Sequence, residues 1–113
     1  MRLFYRGKYD DVRCLVDSGA DECVFASSVA RSLGIDIESG EPRIYYPVGG
    51  SSFTGYIHHV GLQILGFDER IEIEAGFAER NKFSLLGQDG FFDNYEVVFR
   101  GYGKRFEVNS VFQ

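Results

Sequence analysis

Tryptophan is absent from this sequence, methionine occurs once, and proline and cysteine occur twice each in 113 residues. Two cysteines cannot build the disulfide framework of a small secreted domain. Cys14 and Cys23 also stand in different contexts, with no CxxC and no clustered histidine, so they offer no structural zinc ligand set. Both are expected as reduced thiols packed as small hydrophobes, which fits a reducing, cytoplasmic compartment. Positive charge is in short supply as well. Twelve Lys and Arg against seventeen Asp and Glu leave a formal charge of −5, without the broad positive field that nucleic-acid binding needs. No stretch approaches the roughly 20 apolar residues of a membrane span, and no apolar run follows Met1-Arg2 as a signal peptide would require. The expectation is a soluble, unsecreted chain with neither nucleic acid nor membrane as partner.

What the chain does have is bulk. It is 44% hydrophobic, with eleven Phe and seven Tyr, too apolar for intrinsic disorder and sufficient for a core without staples. Its length suits one domain over residues 1–113. Most apolar runs are short, rich in Val, Ile, Phe and Tyr, and bounded by Gly, Asp, Asn or Ser, the pattern of a mainly β chain. Strands are expected at Leu3–Arg6, Val12–Val16, Ile44–Tyr46, Phe53–Leu65, Arg70–Phe77, Tyr95–Phe99 and Arg105–Val108, with Gly7-Lys8 and Gly101-Tyr102-Gly103 as turns. Ser27–Leu33 instead has helical spacing and is followed by Gly34, a helix-stop residue. A second helical turn is expected over Gln88–Phe92.

The segment Leu15-Val16-Asp17-Ser18-Gly19-Ala20 delivers a carboxylate from an apolar strand into a tight turn. Burial there would favour the protonated acid unless donors meet it, and Ser18 and the backbone at Gly19 can supply them. Asp-Ser-Gly also suits an ordinary turn with no chemistry. Downstream, Phe83-Ser84-Leu85-Leu86-Gly87-Gln88 again runs an apolar pair into glycine. Between the two lies a glycine-bearing hairpin around Val48-Gly49-Gly50. Adjacent His58 and His59 on one strand point to opposite faces and cannot share a metal, and Asp10-Asp11 reads as a solvated turn. No metal and no cofactor are expected.

This order of apolar strand, Asp-Ser-Gly-Ala, glycine-rich hairpin and apolar-apolar-Gly resembles the retropepsin-like aspartic proteases. The resemblance implies a closed β-barrel with one or two short helices and a homodimeric active site. It makes Asp17 catalytic. Ser18, Gly19, Leu86 and Gly87 then support the active-site loop, while Ala20, Asp21, Val48, Gly49 and Gly50 line the substrate cleft or form the flap over it. The substrate would be a peptide or protein. Such hydrolysis needs two carboxylates about 3 Å apart that share one proton. The chain holds one Asp-Ser-Gly, so the second carboxylate is expected from another copy of Asp17 across a two-fold axis. A coupled pair of this kind implies a bell-shaped pH profile on the acid side. One position departs from the family pattern. Gln88 stands where relatives commonly carry an Arg paired with the acidic residue matching Asp21, so Arg80, Arg100 or another base would have to take that part. The alternative is a non-catalytic dimerisation or peptide-binding module of the same fold.

Overall fold

Short β-branched and aromatic runs form ten strands in the computed structural model, which describes residues 1–79, 84–103 and 105–111. They are β1 (Arg2–Tyr5), β2 (Lys8–Asp11), β3 (Cys14–Val16), β4 (Val24–Ala26), β5 (Glu41–Tyr45), β6 (Phe53–Gln63), β7 (Ile71–Ala78), β8 (Ser84–Leu86), β9 (Tyr95–Arg100) and β10 (Arg105–Ser110). One α-helix, α1 (Ser27–Leu33), follows β4 and ends at Gly34, whose φ of 73° lets its N–H reach back to Ala30 O and Arg31 O. This is the helix and the stop expected from the sequence. Phe83 and Arg80 lie outside the described residues.

Eight strands form one sheet in the order β2-β1-β6-β7-β4-β8-β3, with β5 also paired to β6. Ladders along β1, β6 and β7 are antiparallel, whereas β4 runs parallel to β7 and β3 parallel to β8. The sheet curls because its two ends are joined by chain. Only Val12 and Arg13 separate β2 at one edge from β3 at the other, and three Cα steps span at most about 11 Å. The described pairings leave those two edges unladdered, so the sheet is a curled half-barrel rather than the closed barrel expected. Val12 is still spent on the β1 side, its N–H donating to Met1 O at 2.7 Å and its carbonyl accepting from the Met1 amine at 3.0 Å. β9 and β10 form a separate antiparallel pair, joined through a 3-10 turn at Gly101–Gly103.

The concave side of the sheet and α1 enclose the core. Phe25 and Phe77 are fully buried with ring centroids 5.6 Å apart, and Leu3, Leu33, Val60, Leu62 and Phe91 complete it. Each such side chain contributes about 1.5–3 kcal/mol by leaving water. Along β7, Ile73 is buried while Glu72 and Glu74 face out, the expected alternation. Asp10-Asp11 proves to be strand, not turn. It lies in β2 opposite Leu3 and Arg2, where Arg2 donates to Asp11 at 2.7 Å. The chain reverses before it, at Arg6 and Gly7, both with positive φ.

The expected helical turn over Gln88–Phe92 does not form. A run of turns takes its place, with Phe92 N donating to Gly87 O at 3.2 Å and Asp93 N to Gln88 O at 3.1 Å. Gln88 and Asp89 instead spend their backbone N–H groups on Ala20 O and Asp21 O, each at 2.9 Å. Phe92 and Asp93 thus donate five residues back rather than four, so no α-helical turn closes, and the Gln88 and Asp89 bonds begin the functional site.

Candidate active site

The site is assembled by two parallel strands. β3 and β8 pair Cys14 with Ser84, Leu15 with Leu85 and Val16 with Leu86. The ladder continues one step beyond both strands, where Asp17 N donates to Leu86 O at 2.9 Å. Asp17 therefore leaves the sheet at a fixed position, half-buried, while Ser18 and Gly19 are exposed. Ala20 N closes the turn on Asp17 O at 3.1 Å. The donor that meets the carboxylate is the Gly19 N–H, 2.9 Å from Asp17 Oδ1. The Gly19 N–H engages Oδ1 of a residue that is itself half-buried, and a carboxylate can accept further bonds through its other oxygen.

Leu86-Gly87 packs beneath that turn. Leu86 is buried, and Gly87 sits where a Cβ would run into Ala20 O at 2.7 Å and into Glu22 O, so only glycine lets the two chain segments approach this closely. Cys23 fills the space below. The Gly87 N–H points at its sulfur at 3.5 Å, and its Sγ–H faces Asp89 O at 3.4 Å. Burial pushes the Cys23 thiol up to about 11, so it stays neutral, and burial likewise takes Cys14 to about 12. Both cysteines are free, and Cys23 is buried while Cys14 is half-buried.

Gln88 has a defined partner. Its side-chain Nε2 donates to Ser18 O at 2.8 Å, so the residue at the departing position grips the loop through the backbone rather than through the Asp21 carboxylate. Of the bases considered as substitutes, Arg100 pairs with Glu107 at 2.9 Å, and Arg80 lies outside the described residues. Asp21 is exposed, and its carbonyl receives the Asp89 N–H.

Val48, Gly49 and Gly50 lie in the loop of the hairpin made by β5 and β6, all three exposed, with Gly49 at φ 74°. The structure thus groups Asp17, Ser18, Gly19, Ala20 and Asp21 with Leu86 and Gly87 in one hydrogen-bonded unit and sets the hairpin tip apart. His58 and His59 also diverge. His58 is buried with Nε2 2.8 Å from Ile37 O, and His59 is exposed beside Glu74. Among the described residues, no group of three or more His, Cys, Asp or Glu could hold a metal ion, and no helix is long and apolar enough to cross a membrane.

Three residues that the sequence did not single out join the loop end of β5 to the Asp17 loop. Glu22 accepts from Arg43 Nη1 through Oε1 and from the Tyr45 hydroxyl through Oε2, the latter at 3.0 Å. Burial, helped by the neighbouring Glu22 charge, holds the Tyr45 phenol above its ordinary range and so keeps it a donor. The available signal was weak: Arg43 and Tyr45 are two apart on a strand and so share a face.

A family model described as aspartyl protease matches residues 5–89, a span that takes in Asp17, the hairpin and Leu86-Gly87. No curated protein matches the chain.

Proposed function

Because the chain belongs to the aspartyl protease family, we propose that it is an aspartic endopeptidase, working as a homodimer of a single retropepsin-like domain over residues 1–113. One observation carries the reading. The Asp17 turn is fixed by the Leu86 carbonyl and the Gly19 N–H yet leaves its carboxylate half-exposed. Such a carboxylate is positioned by its scaffold and free to meet a second one.

In this reading two Asp17 side chains face each other across a two-fold axis and share one proton. The ionised member takes a proton from a water as its oxygen attacks the peptide carbonyl carbon. The protonated member gives its proton to the carbonyl oxygen. The resulting tetrahedral species collapses with proton transfer to the amide nitrogen, breaking the C–N bond. Ser18 and Gly19 shape the loop at the seam, Leu86 and Gly87 support it from below, and Ala20 and Asp21 border the cleft. The β5–β6 hairpin is the flap, with Val48, Gly49 and Gly50 closing over an extended peptide that adds its backbone to the site as a strand. Activity follows a bell-shaped profile on the acid side, because the pair needs one proton and not two or none.

Mixing experiments test this reading. The Asp17→Asn variant alone loses about 10²–10⁴-fold in peptide cleavage while keeping its fold. Added to the wild-type protein at fixed total concentration, it lowers activity with the square of the wild-type fraction, since a mixed pair lacks one acid. A linear fall, or cleavage by the purified variant at the wild-type rate, would rule the shared dyad out. Peptide binding without cleavage by the wild-type protein would favour a binding module.

A further inference from the structure

Strand β5 is exposed at four of its five positions and, among the described residues, pairs with β6 alone. An edge strand of this kind is expected to fray, and the hairpin loop rides on it. At its end, however, β5 is fastened by side chains. Arg43 and Tyr45 project from one face, and each engages one oxygen of the Glu22 carboxylate, whose side chain keeps only 18% of its exposure. The Tyr45 ring stacks on Phe53 with centroids 5.3 Å apart. It lies across Gly55 and Gly76, where added Cβ atoms would run into the ring or its hydroxyl, at 2.7 Å in the case of Gly55. The other end of the tether is equally fixed. Glu22 follows the Asp17 turn, bridges to Asp89, and sets its own carbonyl over Gly87.

We infer that Glu22 is a positioning residue, the joint that fastens the loop end of strand β5 to the loop carrying Asp17, so that the hairpin's tip moves about an anchored stem. A stem held at the height of the Asp17 loop sets the distance at which the tip meets a bound peptide, and this second half rests on the protease reading above. The tether itself does not.

Amide hydrogen exchange and peptide kinetics on the full chain separate the two. In Tyr45→Phe, which keeps the ring and removes the donor, and in Glu22→Ala, exchange at residues 41–45 and 53–57 rises about tenfold, as expected for loss of a hydrogen bond to a charged group. Exchange in β1 and at the core of β7 stays at the wild-type rate. The double variant is no looser than Glu22→Ala alone, because both single changes break the same joint. In cleavage assays KM rises about three- to tenfold while kcat holds within about twofold. Unchanged exchange in the hairpin, or an equal rise throughout the sheet, overturns the tether. Raised hairpin exchange with unchanged KM overturns its role in substrate positioning. If the wild-type protein cleaves no peptide, the protease reading fails and the exchange result still decides the tether.

Discussion

The turn at residues 17–20 and the hairpin loop at residues 46–52 are both short, both carry glycine and both follow a strand, but they are held differently. Into the first run hydrogen bonds from a distant segment. Asp17 N reaches Leu86 O, Gln88 N reaches Ala20 O, and the Gln88 side chain reaches Ser18 O, at 2.8–2.9 Å. Beneath it lie a glycine with no room for a side chain and a buried thiol. In the second, Gly50 N meets Pro47 O at 3.4 Å within the loop itself, and Val48 is fully exposed. Fixation by long-range contacts suits a group that must hold a carboxylate in place. An exposed loop on an edge strand is the kind of segment that, in the proposed reading, opens and closes over substrate. The contrast teaches that glycine has two uses here: at Gly87 it permits close packing, and at Gly49 it permits a positive φ.

That contrast can be broken from the rigid side first. Gly87→Ala places a methyl group against the Ala20 and Glu22 carbonyls and should cost about 3 kcal/mol in denaturant unfolding. A cost near zero would mean the two segments are not packed as described. Next comes the thiol under the turn. Its folded value of about 11 lies above the ordinary 9.0, so the fold favours the neutral form. The stability this contributes is complete below pH 9.0 and is lost as pH rises through the folded value. Unfolding free energy should fall by on the order of 2 kcal/mol over that window, with a shallower fall in Cys23→Ala. An identical slope in the variant would place the titration elsewhere. Gln88→Ala removes one hydrogen bond to the Ser18 carbonyl and should cost about 1 kcal/mol, read by thermal unfolding. No loss there would mean water replaces the amide fully. At the exposed hairpin loop, Val48→Ser should move the unfolding free energy by no more than about 0.5 kcal/mol, and a larger loss would show that the tip packs against the fold after all.

Much of the frame was legible in the residues. Ser27–Leu33 with Gly34 declared a helix, and the long apolar alternation through His58 and Leu62 declared a strand. The strands that were missed are short or polar. Lys8–Asp11 carries three charges because it is an edge strand open to water, Val24–Ala26 is buried on both faces and shows no alternation, and Ser84–Leu86 is three residues long. At Gln88–Phe92 the residues suit a helical turn, but the backbone closes five residues back, from Phe92 to Gly87 and from Asp93 to Gln88, a difference that spacing along the chain does not show. Asp17 and Leu86-Gly87 were readable as a pair through their motifs. Glu22, Arg43 and Tyr45 were not, since side chains that meet across 21 and 23 residues leave no pattern along the chain.

The central claim is that two copies of Asp17 form one acid-base pair. A crystal structure of the protein with a statine-type transition-state mimic measures it most directly, because such a mimic binds the assembled pair more tightly than substrate does. The account predicts a two-fold dimer with the two Asp17 carboxylates about 3 Å apart, both contacting the inhibitor's hydroxyl. An inhibitor bound to a single copy, or a dimer whose Asp17 side chains are too far apart for one water to bridge them, would contradict it.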